Sequence, residues 1–158
     1  TGWGAEALDA LGLLVVPCAA STAQDPDVPF FARAVADMAG LPPDRLVLNW
    51  PQAALSPALA AAHTALGLGL ASDDLPPAVS LDVLVLDESA RAARVPTEQT
   101  VRQAARRGVR VLAEGVGPDD TADTLQDWGV TYASGGLPPG TAADARAALT
   151  RRTAQPAR

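Results

Sequence analysis

The apolar positions of this chain fall into short runs separated by longer amphipathic or alanine-rich stretches. Runs at 11–16, 45–48, 81–86 and 109–112 are dominated by Leu and Val, the pattern of strands covered on both faces. Residues 67–71 lead into another strand that ends on Ser72-Asp73-Asp74, and a sixth spans 130–133. Between these runs the pattern predicts helices over 29–39, 57–66, 96–107 and 121–128, with a further one over 141–149. Gly40, Gly108 and Gly129 stand where three of these helices should stop. Residues 21–27 read as a polar loop and 151–158 as a frayed tail. Sustained alternation of strand and helix implies parallel βα units. A closed (β/α) barrel needs eight strands and about 250 residues. The expected fold is therefore α/β with about six parallel strands, an incomplete or modified TIM-type barrel or an open sheet. One connection departs from the alternation. Leu75-Pro76-Pro77-Ala78-Val79-Ser80 is shorter than the crossover of about a dozen residues that parallel neighbours usually need, so it carries no helix.

Composition narrows the class without naming a function. At 158 residues the chain is one domain, expected over 1–150, or a fragment of one, and 48% apolar residues suit a packed core. A start at Thr1 rather than Met reads as a piece of something longer. The formal charge of −6 argues against a nucleic-acid-binding face. With one cysteine, Cys18, and one histidine, His63, there is neither an intrachain disulfide nor a Cys/His metal site. No apolar run reaches the length of a membrane span and no signal peptide is visible, so a cytoplasmic domain with no membrane contact is expected.

Candidate chemistry lies at the strand ends. Asp73-Asp74, Asp87 and Glu114 each follow a strand, and in a parallel layout those ends converge on one face. Carboxylate oxygens suit Mg²⁺ or Mn²⁺, and two such ions can clamp a phosphodiester and activate water. Acids at strand ends also cap helices or are simply solvated, and spacing alone does not choose between these roles. Glu114 sits in Ala113-Glu114-Gly115-Val116-Gly117, followed by Pro118, Asp119 and Asp120 at the start of the 121–128 helix.

The order of these motifs resembles the EAL domains, bacterial phosphodiesterases that hydrolyse cyclic di-GMP on a modified TIM barrel with two divalent metals. Leu112 to Val116, the helix ending at Trp128-Gly129, then Tyr132 and Gly135 are similar to the family's AEGVE motif, its following helix and its QG turn. Upstream, 40–48 resembles the approach to the ELTE-type strand, 65–74 the strand ending in DDFG, 81–87 the strand ending in KID, and 21–28 the stretch after the NLS-type strand. The resemblance covers roughly 11–140. Against the family pattern, the first strand with its EAL motif has no room; Glu6-Ala7-Leu8 spells the letters but lies too close to the next strand. Pro17 stands at the asparagine ligand position, Asn49 at the glutamate, Val85 at the KID lysine, Gly117 at the second glutamate of AEGVE and Ser134 at the QG glutamine.

What the resemblance implies is a degenerate EAL-like regulatory domain of a larger bacterial signalling or transcriptional protein, without catalytic residues or a resident cofactor. It would act through dimerisation, a partner domain or ligand sensing, and exposed sheet edges would invite pairing. A remnant ligand site would comprise Asp73, Asp74, Asp87, Glu114 and Ser134, with Asp73, Asp87 and Glu114 the residual metal candidates. The alternative is a Mg²⁺- or Mn²⁺-dependent cyclic di-GMP phosphodiesterase, or a receptor for cyclic di-GMP or another small ligand. Other features read more plainly. Gly67-Leu68-Gly69 precedes a strand and so is no dinucleotide fingerprint. His63 reads as a satisfied or exposed helix residue, Cys18 as a small buried hydrophobe, Trp128 as core, and Arg106-Arg107 as a solvated face. Trp3 and Trp50 have the ring to stack a base, and the Gly115–Pro118 loop has backbone N–H groups that could hold a phosphate.

Overall fold

The computed structural model describes residues 12–87, 95–116, 125 and 127–134. Six strands form one sheet in chain order: β1 Leu14–Pro17, β2 Leu46–Asn49, β3 Gly69–Ser72, β4 Val83–Leu86, β5 Arg110–Ala113 and β6 Tyr132–Ala133. Every neighbouring pair is parallel. Helices α1 Val28–Ala39, α2 Pro57–Leu66 and α3 Val95–Arg106 carry three of the connections. This is the expected incomplete TIM-type barrel. The link from β3 to β4 contains no helix, as its length required. Residues 6–8, Trp3, Gly117, 121–124, the expected 141–149 helix and the 151–158 tail lie outside the described residues.

Helix ends explain where the strands begin. Ser56 caps α2, its Oγ accepting from the Leu59 N–H at 3.1 Å, with Pro57 at the first helical position. At the other end Gly67 adopts a left-handed φ of 68°, and the Leu68 N–H turns back to the His63 carbonyl at 3.0 Å. The same arrangement recurs where the Val109 N–H reaches the Ala104 carbonyl at 2.9 Å. Leu68 and Val109 are thus spent on closing helices, so β3 and β5 start one residue later, at Gly69 and Arg110. β1 likewise runs to Pro17, a residue without an N–H that an edge strand tolerates.

The sheet is covered on both faces. Leu46, Leu48, Leu70, Leu84, Leu86 and Val111 face the helices and pack with Ala36, Val101 and Ala104. Val47, Ala71, Val83, Val85 and Leu112 form a second buried cluster on the inner face, flanked by Leu13, Val15 and Tyr132. That second cluster joins the two ends of the sheet. A Cβ on Gly12, just before β1, would lie 4.0 Å from the Tyr132 ring in β6. Among the described residues no ladder pairs β1 with β6, so both edges of the curled sheet are without a strand partner, and Leu14 and Val16 of β1 are exposed.

Candidate functional site

The strand C-termini gather the residues singled out by sequence. The β1–β2 register pairs Pro17 with Asn49, and Asn49 in turn pairs with Ala71 of β3, two residues before Asp73. Across the sheet, the Glu114 N–H donates to the Leu86 carbonyl at 2.8 Å, which sets Glu114 beside Asp87. The Ser134 N–H donates to the Ala113 carbonyl at 2.8 Å, which sets Ser134 beside Glu114. Pro17, Asn49, Asp73, Asp87, Glu114 and Ser134 each stand two residues after an inner-face residue, so together they ring the mouth of the curled sheet.

Their local partners differ. Asp73 is exposed, with Oδ1 accepting from the Gln52 N–H at 3.3 Å and lying 3.2 Å from Ser72 Oγ. Asp74 falls outside the ring and accepts from its neighbour's N–H, that of Leu75, at 2.7 Å. Asp87 and Ser134 are exposed and Glu114 is half-buried. Among the described residues no three His, Cys, Asp or Glu side chains are grouped closely enough to hold a metal ion. Asn49 contributes one neutral carbonyl, and its Oδ1 is buried without a hydrogen-bond partner among the described residues. Pro17 contributes no side-chain donor. Among the described residues the ring offers three carboxylates, Asp73, Asp87 and Glu114, where a pair of divalent cations requires several anionic oxygens converging on each ion.

One hollow of about 260 Å³ opens at the β1–β3 end of the ring, lined by Pro17, Cys18, Ala20, Asn49, Pro51 and Asp73 among others. Cys18 is half-buried rather than core, and burial pushes its thiol pKa up, so it faces the hollow as a neutral thiol. The floor beneath is a buried polar chain. The Trp50 Nε1–H donates to His63 Nε2 at 3.2 Å, and His63 Nδ1 lies 3.0 Å from the Gly69 carbonyl. The Ser72 Oγ–H donates to the Trp50 carbonyl at 2.8 Å. Indole can only donate, so Nε2 must accept and Nδ1 must carry the proton. His63 is therefore a satisfied buried histidine, and Trp50, with no exposed surface, cannot stack a base. Sequence carried no signal for this pair, whose members lie 13 residues apart on different elements.

Two further expectations change at the periphery. Arg107 is not merely solvated: its guanidinium donates to the Leu75 and Pro76 carbonyls at 3.4 and 2.8 Å, holding down the helix-less β3–β4 link. Gly69 has a steric role. A Cβ there would stand 2.7 Å from Val47 Cγ2, its register partner, so only glycine lets β2 and β3 approach.

Solved structures match this arrangement of strands and helices. The EAL domain of Mycobacterium smegmatis DcpA superposes with a TM-score of 0.73 at 18% identity, over 88% of this chain and 73% of that one. The fold is that of EAL domains. The EAL enzyme Bd1971, in its cAMP- and cyclic-di-GMP-bound form, gives a TM-score of 0.72 at 13% identity over 90% of this chain. The Bacillus subtilis YkuI protein, with an EAL domain in complex with substrate c-di-GMP and calcium, gives 0.61 at 14% identity over 92%. This chain spans 47% of the Bd1971 chain and 46% of the YkuI chain. No protein-family model matches the sequence, and no curated protein matches it. Among the described residues no helix is long and apolar enough to cross a membrane.

Proposed function

We propose that this chain is a catalytically inactive EAL-like domain that serves a larger bacterial signalling or transcriptional protein, in the cytoplasm, as an interaction module. The observation that carries the reading is the donor set around the mouth. Two of its six inward positions, Pro17 and Ser134, offer a metal no anionic oxygen, and a third, Asn49, offers a neutral one with no cation-binding partners grouped around it. Val85, where the family resemblance places a lysine, is buried in the inner apolar cluster instead of polarising a water. Without two metals and an oriented nucleophile, the positioning and charge stabilisation on which phosphodiester hydrolysis depends are missing. The scaffold's hydrophobic core, by contrast, is complete enough to present surfaces.

The second reading is a receptor or residual phosphodiesterase. It is favoured by the hollow between β1 and β3 and by the cyclic di-GMP named for two of the structural neighbours. In that version Asp73, Asp74, Asp87, Glu114 and Ser134 would contact the ligand, through Mg²⁺ or Mn²⁺ if at all, since bare carboxylates repel phosphates. Titration calorimetry with cyclic di-GMP, with and without Mg²⁺, separates the two. The interaction reading expects no heat of binding in either buffer. Saturable Mg²⁺-dependent binding that Glu114→Gln abolishes would replace it with the receptor reading.

A further inference from the structure

Asp73, in the wall of the hollow, is tied to a buried histidine by a continuous line of polar contacts. His63, the chain's one histidine, lies on α2 and is 1% exposed, while Trp50 and Ser72 have no exposed surface. The line runs from the Gly69 carbonyl through His63 to the Trp50 indole, and from the Trp50 carbonyl to Ser72 Oγ. Ser72 Oγ has a single proton and two acceptors within reach, the Trp50 carbonyl at 2.8 Å and Asp73 Oδ1 at 3.2 Å. Asp73 Oδ1 in turn accepts from the Gln52 N–H at 3.3 Å. Trp50, Pro51 and Asp73 all line the hollow.

The line has one donor–acceptor order while His63 is neutral and none once it is charged. A proton taken from water onto Nε2 uses up the lone pair and sets an N–H against the indole N–H, which can only donate. The Nδ1 side holds, because its bond to the Gly69 carbonyl becomes charge-assisted. Gly69 cannot retreat either, being packed so closely on Val47 that a Cβ would stand 2.7 Å from its Cγ2. The Asp82 carboxylate, fixed by the Leu70 N–H at 2.9 Å, attracts the imidazolium. Of the elements packed on α2, β3 carries no charge, and Arg33 of α1 is bound to Asp37 and to the Leu66 carbonyl. The indole is therefore the group that gives way.

We propose that His63 is an acid-sensitive switch for the hollow: proton uptake at Nε2 displaces the Trp50 indole, and the Ser72 hydroxyl turns from the Trp50 carbonyl to Asp73 Oδ1. The wall formed by Pro51, Gln52 and Asp73 is thereby rearranged while the sheet stays intact. Burial disfavours the imidazolium, so the change falls on the acid side of 6.5. The switch goes beyond the interaction reading and stands whether or not the mouth hydrolyses a phosphodiester.

The test is NMR of the whole chain as pH is lowered, with far-UV circular dichroism marking where the fold is lost. His63 is the only histidine, so its carbon-bound imidazole protons report its midpoint in the native chain without a variant. Trp50→Phe assigns the Trp50 indole N–H. Asp73→Asn, at an exposed position, removes that carboxylate's own titration from the Gln52 amide signal. The expected result is one midpoint below 6.5, ahead of unfolding, shared by the imidazole, the indole N–H and the Gln52 amide of the Asp73→Asn chain. His63→Gln should leave the indole signal flat over that range. An indole signal that stays fixed while the imidazole titrates would overturn the switch, as would an imidazole that stays neutral until the fold is lost. A shared imidazole and indole midpoint with an unmoved Gln52 amide would overturn the link to the hollow.

Discussion

His63→Ala should be among the most damaging single changes in this chain. His63 is 1% exposed and Trp50 has no exposed surface, so neither group left behind can turn to water. The Trp50 Nε1–H loses its acceptor, which costs about 1–3 kcal/mol for a buried donor left unmade. The Gly69 carbonyl loses its donor at the same time. The imidazole's volume becomes a void beneath β2 and β3, and large-to-alanine changes in cores cost about 2–5 kcal/mol. Together these reach about 3–8 kcal/mol, a large share of the ~5–15 kcal/mol that holds a domain folded. Urea unfolding at pH 8, followed by circular dichroism, measures it. Trp50→Phe, alone and combined with His63→Ala, isolates the hydrogen bond, and a coupling of about 1–2 kcal/mol is expected. A cost under about 1 kcal/mol, or additivity within about 0.5 kcal/mol, would refute the network.

The same geometry fixes a pH dependence. Burial lowers the His63 pKa from its ordinary value near 6.5, partly opposed by the Gly69 carbonyl and the Asp82 charge. Protonation would also set two N–H groups facing each other at Trp50. The folded pKa lies below the unfolded one, so the unfolded chain takes up more protons as pH falls. The contribution is fully present above about 6.5 and is lost as pH falls from there through the folded value. His63→Gln, which keeps an acceptor but cannot titrate, should flatten that part of the stability profile.

Three further outcomes follow from contacts elsewhere. Gly69→Ala should cost about 1–3 kcal/mol through overlap with Val47, and Val47→Ala in the same chain should recover part of that in denaturant melts. Arg107→Ala should change global stability by less than about 1 kcal/mol while speeding amide exchange over 75–80, because the guanidinium pins that link. Ser56→Ala should lower stability by about 1 kcal/mol, read as a fall in Tm, since the Leu59 N–H then lacks its cap.

What was legible in the sequence was whatever a two-sided sheet imposes locally. Val83–Leu86 is buried at every position, so the run had to be uniformly apolar, and its strand was plain. The helix-less β3–β4 link was equally plain, because residues 73–82 fall short of the dozen or so that a helical crossover takes. The strand ends were off by a residue where Leu68 and Val109 close helices, since an apolar residue looks the same in a cap and in a strand. The approach of Gly12 to the Tyr132 ring spans more than a hundred residues, and no local pattern announces it. The ring of Asn49, Asp73, Asp87, Glu114 and Ser134 was reachable from strand-end positions. The orphaned Asn49 Oδ1 and the Trp50–His63 bond beneath it were not, because each depends on how three strands stack.

The central claim is that the mouth of this EAL-like scaffold no longer performs phosphodiester hydrolysis. The direct measurement is release of linear product from cyclic di-GMP by the purified chain in Mg²⁺ and, separately, in Mn²⁺. The account predicts no turnover above buffer in either metal. Metal-dependent turnover that Glu114→Gln abolishes would contradict it.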